Sequence, residues 1–242
     1  MRTIPHASWA PVYDVAYERT FGAAYRTLTD NTLQAVRQMA TPPARIVDFG
    51  AGTGRLAVPL AEDGYRVTAI EPCAEMLDQL RRKKGPGSVI TVEATMQDFA
   101  GASDFDVALC VFTVLLYLLD EDALQGSLQA AAECLKPGGK LLLDVPGRIV
   151  FGSVEAPRQN GFSRSVSVQM VEGHEDIYDY TDDLCVTSAN GHVDHYVDQF
   201  RIRYWPLERV TEAWGKSGLV LEEDISDAFA WTGSQYFWLR KE

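Results

Sequence analysis

The feature that most constrains the fold is a regular alternation of strand and helix signals that begins near Arg45. Arg45–Phe49 is rich in β-forming residues and stops at glycines, and residues 53–63 then show the apolar spacing of a helix. The alternation continues with strands predicted at 65–70, 88–92, 105–112 and 140–145, and with helices at 74–84 and 120–135. Strands separated by helices predict βαβ units and a doubly wound parallel α/β sheet.

The pattern changes after Pro146. Residues 147–204 carry β-branched and aromatic residues between turn signals, and the Asn190-Gly191 pair is typical of a β-hairpin. This segment is predicted to be an antiparallel insertion. Its strand at 192–205 places Asp194 and Asp198 on the same face as several aromatic residues. We expect this face to look toward a cavity, where the two carboxylates attract a cationic amine. The alternative is that the aromatic residues only cover the central sheet and the carboxylates lie in solvent.

The charge balance limits the possible partners. The chain has 22 Lys and Arg against 34 Asp and Glu, a formal net charge of −12, which argues against nucleic acid and anionic membranes. Its four cysteines form no CxxC pair, so they predict neither a zinc ribbon nor a disulfide scaffold. The N-terminus has no apolar run typical of a signal peptide, and we predict a cytoplasmic protein.

A glycine-rich turn, Asp48-Phe49-Gly50-Ala51-Gly52-Thr53-Gly54, separates the first strand from the first helix of this pattern. Glycines allow a ligand close to the backbone, although such a turn also occurs as a plain strand–helix connection. Arg55 stands where a dinucleotide fingerprint requires its third glycine, which disfavours a nicotinamide-dependent oxidoreductase. Asp48 suits an ammonium group, and Glu71 suits vicinal ribose hydroxyls. S-adenosylmethionine carries both groups.

Four segments together resemble the class I S-adenosylmethionine-dependent methyltransferases: the D-F-G-A-G-T-G turn, A-I-E-P, F-D-V-A-L-C and L-K-P-G-G-K-L-L-L-D. The resemblance covers about residues 45–145 and resumes in the last helix and strands. It implies a Rossmann-like seven-stranded sandwich with strand order 3-2-1-4-5-7-6. The implied single domain has an N-terminal helical lid (1–40), a core (41–146 and 205–242) and the antiparallel insertion on the substrate side (147–204).

The resemblance also implies the residues that hold the cofactor. Gly50, Ala51 and Gly52 would line its methionine part, Asp48 its ammonium and Glu71 its ribose. The other implied positions are Pro72 and Met76 beside the adenosine, Thr95 and Met96 at the adenine edge, and Val111 and Phe112 facing the sulfonium. Thr95 departs from the family pattern, which commonly has Asp there.

An aromatic stripe occupies the N-terminal segment, with Trp9, Tyr13, Tyr17, Phe21 and Tyr25 at intervals of four. It either packs on the sheet or forms a lid whose hydroxyls reach cofactor or substrate, and rings can do both. The segment is similar to the tyrosine-rich start of small-molecule methyltransferases, including aminosugar N-methyltransferases. By that resemblance Tyr13 and Tyr17 stand near the methyl group.

Tyr117 follows the fourth strand and is either an acceptor-side catalytic group or a core tyrosine. The pair His192 and His195 falls in a predicted strand, where the two side chains point to opposite faces, so no metal site is predicted. His174 and His195 are interpreted as surface residues, with a role as base left open.

The predicted function is transfer of a methyl group from S-adenosylmethionine to a small-molecule acceptor, at an amine or hydroxyl of a sugar or other metabolite. A non-catalytic cofactor-binding or assembly protein is the alternative. The catalytic candidates are Tyr13 and Tyr117, and we expect a monomer or homodimer.

Overall fold

A computed structural model describes residues 4–83, 89–101, 103–188 and 190–242, without the side chains of residues 157 and 158. Its main layer is a seven-stranded sheet in the order β3-β2-β1-β4-β5-β11-β10. The strands are β1 (Arg45–Phe49), β2 (Arg66–Ile70), β3 (Ile90–Val92), β4 (Phe105–Cys110), β5 (Leu135–Pro146), β10 (Leu219–Asp224) and β11 (Ser234–Lys241). β1 to β5 run parallel, and β11 is antiparallel to both β5 and β10. The predicted strand order is confirmed.

Six α-helices belong to the described part of the chain: α1 (Tyr13–Phe21), α2 (Ala23–Met39), α3 (Ala57–Glu62), α4 (Ala74–Arg82), α5 (Glu121–Cys134) and α6 (Leu207–Lys216). Asp120 caps α5, because its side chain accepts a hydrogen bond from the Ala123 amide at 2.8 Å. Helices pack on both faces of the sheet, so β4 is apolar and buried nearly throughout. The α/β class follows from this layering.

The insertion is a separate four-stranded antiparallel sheet in the order β6-β7-β8-β9. It consists of β6 (Val154–Gln159), β7 (Phe162–Met170), β8 (Ile177–Thr187) and β9 (Val193–Arg203). Asn190 and Gly191 lie in the turn between β8 and β9, as predicted. One face of this sheet packs on the N-terminal segment, where Phe162 and Leu184 are buried together with Trp9 and Ala16.

Several boundaries differ from the sequence predictions. The helix predicted at 53–63 begins only at Ala57, because the glycine-rich turn continues through residues 52–56. The segment Lys136–Gly139 was predicted to be a loop between the preceding helix and the fifth strand. It belongs instead to β5, since Leu135 already pairs with Phe105. The predicted start of the third strand, Ser88, and the predicted end of the second helix, Lys84, lie outside the described residues.

The N-terminal segment begins with a 3₁₀ helix, Ala7–Val12, and continues into α1. A break at Gly22, with φ of 49°, separates α1 from α2. Among the described residues, no helix combines the length and the apolar character needed to cross a bilayer.

Candidate active site

The glycine-rich turn leaves β1 at the carboxyl edge of the parallel sheet. Gly50 and Ala51 both donate their amide protons to the carbonyl of Ile70, at 2.9 and 3.1 Å, which ties the turn to β2. Gly50 has φ of 68°, and a Cβ on it would lie 2.5 Å from Val114 Cγ2. Gly52, with φ of 55°, has Met76 Cε 3.4 Å from the place of its Cβ. The turn therefore requires glycine, and its close backbone suits a ligand.

Asp48 is the last polar side chain of β1 before this turn. It is 3% exposed, and its carboxylate has no hydrogen-bond donor among the residues that the structure describes. Burial raises the pKa of Asp48 to about 7; the positive charge of Arg55 opposes the shift and Glu71 adds to it. A buried carboxylate without a donor fits the ammonium group of an amino-acid ligand, whose charge would favour the ionised form.

Glu71 follows β2 and reaches back to the same turn. Its Oε2 accepts the Gly52 amide proton at 3.0 Å, and its Oε1 accepts that of Cys73, also at 3.0 Å. Burial raises the pKa of Glu71, while these two backbone hydrogen bonds act in the opposite direction. Each carboxylate oxygen keeps a further lone pair, so Glu71 is able to accept two ribose hydroxyls as well.

A pocket opens above the turn and contains about 360 Å³ of space, part of it open to solvent. It is lined by Tyr13, Tyr25, Asp48, Gly50, Ala51, Gly52, Thr53, Arg55, Leu56, Val111 and Phe112. Seven of the predicted site residues therefore meet there. Tyr17 touches the pocket wall, since its ring lies 5.6 Å from that of Phe112 between centroids.

The remaining cofactor candidates lie around this pocket rather than in its lining. Met76 is buried beneath Gly52, and Pro72 is exposed next to Glu71. Thr95 is exposed and donates its hydroxyl proton to Asp98 Oδ2 at 2.6 Å, so a carboxylate lies beside Thr95. Met96 is buried in the core. Their contacts with the adenosine stay a prediction.

The wall opposite the turn is built from strained backbone. Phe112 and Thr113, directly after β4, have φ values of 68° and 67°, a region that non-glycine residues rarely adopt. The Thr113 amide donates to both carboxylate oxygens of Asp144, each at 3.1 Å, and this buried acid holds the turn in place. Burial raises the pKa of Asp144 to about 7. Such strain clusters at functional sites, and here it directs Phe112 into the pocket.

Tyr117 ends the short 3₁₀ helix Val114–Tyr117 that follows this strained turn. Its neighbour Leu115 is buried in the core, whereas Tyr117 is 37% exposed and its hydroxyl lies 2.8 Å from His6 Nε2. Burial nevertheless raises the pKa of Tyr117 well above 10. Tyr117 is therefore not a core tyrosine.

The aromatic stripe of the N-terminal segment forms a continuous stack. Ring centroids of Trp9 and Tyr13 are 5.1 Å apart, those of Tyr13 and Tyr17 are 4.5 Å apart, and Tyr17 also contacts Phe21 and Tyr25. Trp9 is fully buried, whereas Tyr13 lines the pocket. The stripe thus packs on the antiparallel sheet and also lines the pocket.

The inner face of the antiparallel sheet carries a buried charged cluster. Arg164 forms a bidentate pair with Asp182 at 2.9 and 2.7 Å, and its guanidinium lies 4.6 Å above the Tyr17 ring. Asp198 is buried as expected for its face. Asp194, by contrast, pairs with the exposed His192, and its own side chain is 44% exposed. Of the two carboxylates, only Asp198 is enclosed against the N-terminal segment.

The remaining histidines lie apart from the pocket. His174 is exposed, and His195 pairs with Asp183 at 3.0 Å on the solvent side of the antiparallel sheet. In the described part of the chain, the side chains of Asp183, Cys185 and His195 bring possible ligand atoms within 4.8 Å of one another. His195 and Asp183 are about half exposed there and already paired, so this group is separate from the glycine-rich turn.

Sequence reasoning missed several residues of the site. Tyr25, Thr53 and Arg55 line the pocket, and the Arg55 guanidinium lies 4.2 Å above the Phe112 ring. Tyr25 belonged to the aromatic stripe, and Arg55 was noted only as a departure from glycine. His6 gave no signal at all, because Tyr117 and Asp198, to which it is hydrogen-bonded, lie more than a hundred residues away in the chain.

Comparison with known proteins agrees with this geometry. Residues 46–139 match the model of the methyltransferase domain family. The chain is 24% identical over 226 residues to the dTDP-3-amino-3,6-dideoxy-alpha-D-glucopyranose N,N-dimethyltransferase of Streptomyces fradiae, covering 88% of this chain and 84% of that enzyme. It is 32% identical over 122 residues to the cypemycin N-terminal methyltransferase of a Streptomyces species, covering 50% of this chain and about half (48%) of that enzyme.

Solved structures show the same fold. An S-adenosylmethionine-dependent methyltransferase from Clostridium acetobutylicum aligns with a TM-score of 0.82 at 15% identity, covering 96% of this chain and 98% of that one. DesVI of Streptomyces venezuelae aligns with a TM-score of 0.78 at 21% identity, covering 99% of this chain and 100% of that one. The sugar N-methyltransferase KedS8 from a Streptoalloteichus species aligns with a TM-score of 0.73 at 22% identity, covering 96% of this chain and 93% of that one. Sequence motifs, sheet order and the pocket at the glycine-rich turn thus agree: residues 46–139 match a methyltransferase domain, and the whole chain is similar in fold to S-adenosylmethionine-dependent methyltransferases.

Proposed function

We propose that the protein transfers a methyl group from S-adenosylmethionine to the amine of a small, sugar-like acceptor. The observation that carries the proposal is the position of Tyr13. Its ring lines the cofactor pocket and also contacts His6, 5.5 Å away between centroids, and His6 in turn is hydrogen-bonded to Tyr117. We infer that an aromatic cleft between the N-terminal segment and the antiparallel sheet continues this pocket toward Tyr117.

The cofactor residues follow from the fit described above. Asp48 would hold the ammonium, Glu71 the ribose, and Gly50 to Gly52 would leave room for the methionine part. Bound S-adenosylmethionine supplies an activated methyl group on sulfur. The task of the chain is then to align the acceptor nitrogen with that methyl group and to exclude water, rather than to provide a covalent intermediate.

The acceptor class follows from the composition of the cleft. Tyrosine rings stabilise a cationic or partly cationic amine through their π faces, and their hydroxyls orient it. Asp198 adds a buried negative charge on the same side. The relatives that align over most of this chain and are named for the atom they methylate are the Streptomyces fradiae N,N-dimethyltransferase, over 88%, and the sugar N-methyltransferase KedS8, over 96%. Ubiquinone biosynthesis O-methyltransferases, named for methylation at oxygen, match over only 39–43% of it.

The net charge of −12 supports a small-molecule acceptor over nucleic acid. The described free cysteines, of which Cys73, Cys110 and Cys134 are buried, fit the reducing cytoplasm as the site of action. Light scattering during gel filtration would decide between the monomer and the homodimer that we expect.

An acceptor panel tests the proposal. The protein is incubated with S-adenosylmethionine and an amino sugar, and in parallel with the same sugar carrying a hydroxyl in place of the amine. Mass spectrometry is expected to show methylation of the amino compound only. Methylation of the hydroxyl compound alone would refute the amine assignment. Cofactor binding with no product from primary or secondary amines across the panel would instead favour a non-catalytic cofactor-binding protein.

A further inference from the structure

His6 joins three parts of the molecule at the back of the aromatic cleft. It stands before the first 3₁₀ helix with φ of 68°, and its backbone amide donates to Asp198 Oδ2 of β9 at 2.5 Å. Its ring is buried, with centroids 5.2 Å from Trp9, 5.5 Å from Tyr13 and 5.2 Å from Phe200. These contacts pack the ring between the N-terminal segment and β9.

The two ring nitrogens of His6 have different surroundings. Nε2 lies 2.8 Å from the Tyr117 hydroxyl, within hydrogen-bond distance. Nδ1 is buried without a hydrogen-bond partner among the described residues, and Asp198 Oδ2 lies 3.9 Å from it. A carboxylate oxygen repels a bare nitrogen lone pair and attracts an N–H, so Asp198 favours the tautomer with its proton on Nδ1.

The ring carries a single proton at neutral pH. Burial lowers the pKa of His6 to about 3, and the positive charge of Arg164 acts in the same direction. The ionisable groups around the ring are Asp198, Arg164, Tyr13 and Tyr117, and Arg164 is itself paired with Asp182. His6 is consequently not a base for the reaction.

We infer that His6 is a positioning residue that turns the Tyr117 hydroxyl proton toward itself, so that the Tyr117 oxygen faces the cleft as a hydrogen-bond acceptor for the N–H of the acceptor amine. With its proton on Nδ1, His6 accepts from Tyr117 at Nε2 and leaves the oxygen lone pairs of Tyr117 free. Asp198 acts one step further back by selecting this tautomer. The inference rests on the proposed function and names how that site orients its acceptor.

The chemical step needs no base from this pair. An amine held through its N–H keeps its nitrogen lone pair free for the methyl carbon. The new N–C bond forms as the S–C bond breaks, and the bonding electrons stay on sulfur. The amine enters neutral, and the product leaves as an ammonium ion that carries the proton with it. Tyr117 accepts the N–H throughout and remains protonated, as its raised pKa requires.

A double-mutant cycle tests the inference at saturating cofactor. Tyr117→Phe and His6→Leu are each expected to lower kcat/KM for the acceptor about tenfold, the effect of one oriented hydrogen bond. The double variant should be no slower than either single variant, because both remove the same oriented oxygen. His6→Gln, whose amide oxygen is able to accept from Tyr117, should recover most of the activity. Cofactor affinity, measured by calorimetry, should stay the same in all variants.

If the effects of His6→Leu and Tyr117→Phe multiply in the double variant, or if His6→Gln is no better than His6→Leu, His6 only packs the cleft and the inference is wrong. If the wild type methylates an acceptor but one of these two results is found, the inference about His6 fails and the proposed function still holds. Absence of any acceptor would refute the proposed function instead, and the following measurement needs no acceptor.

Nitrogen-15 NMR of histidine-labelled protein reads the tautomer directly. The wild-type spectrum should assign the His6 proton to Nδ1, and Asp198→Asn should shift it toward Nε2. Asp194→Asn is the matched control on the same strand: its side chain is exposed and paired with His192, so the spectrum of His6 should not change. A wild-type proton on Nε2 would overturn the inference by itself, whether or not Asp198→Asn folds.

Discussion

Cofactor affinity should depend on pH through Asp48. Its carboxylate is buried beside the glycine-rich turn with a pKa of about 7. Only the ionised form attracts the ligand ammonium, and ligand binding in turn lowers the pKa. Below pH 7, binding must therefore release a proton, and affinity must fall as pH falls.

The expected size follows from the pKa. With a pKa of about 7, Asp48 is about half ionised at pH 7 and about one-tenth ionised at pH 6. A ligand that binds only the ionised form therefore loses about fivefold in affinity over this interval, or about 1 kcal/mol. Binding should release about half a proton at pH 7 and about 0.9 of a proton at pH 6.

Calorimetry with S-adenosylhomocysteine, which keeps the ammonium group, measures both quantities. Titrations at pH 6 and 7, each in two buffers of different ionisation enthalpy, give the affinity and the number of protons released. Asp48→Asn is the isosteric control and should bind weakly, with no pH dependence of this origin and no proton release. Equal affinity of the wild type at both pH values, or proton uptake on binding, would refute the role given to Asp48.

Three further predictions concern the turn and the buried pair. Gly52→Val should abolish cofactor binding in calorimetry, because residue 52 has a positive φ and the valine side chain fills the space of the ligand. The control Gly173→Ala lies at an exposed turn with φ of 81° and nothing within 4 Å of its Cβ, and it should bind the cofactor like the wild type. Normal binding by Gly52→Val would contradict the proposed site. Glu71→Ala should weaken binding by about 1.5–3 kcal/mol, and an unchanged Kd would exclude its ribose contact. Arg164→Met should lower the free energy of unfolding in urea by about 3–5 kcal/mol because it leaves Asp182 buried and unpaired, and Arg164→Met with Asp182→Leu should recover much of that loss. If Arg164→Met is as stable as the wild type, the Arg164–Asp182 pair does not stabilise the fold.

Local signals in the sequence were sufficient for much of the core. β1 was predicted with its observed ends, since a run of β-forming residues that follows two prolines and stops at Gly50 has little freedom to extend. The strand order came from the resemblance to a family and not from periodicity, and the structure confirms it. Asp48, Gly50 and Gly52 were predicted because the turn requires glycine and the ligand charge requires an acid; they line one pocket, and their contacts with the cofactor stay a prediction.

Residues whose roles depend on distant contacts could not be predicted in this way. His6 meets Tyr117 and Asp198 only because the N-terminal segment crosses the antiparallel sheet, and no pattern within the segment encodes that. Asp194 and Asp198 share a face by alternation, yet their burial differs because the N-terminal segment covers only one end of β9. The late start of α3 reflects the extra turn at residues 52–56, which helix periodicity alone does not reveal.

The central claim is that the glycine-rich turn holds the cofactor with its methyl group directed at the aromatic cleft. Isotope-filtered NMR of S-adenosylmethionine carrying a carbon-13 methyl group, bound to the protein without acceptor, tests this directly. The account predicts nuclear Overhauser effects from the methyl protons to the ring protons of Tyr13 and Phe112, which line the pocket. A bound methyl group with effects only to aliphatic protons would contradict it.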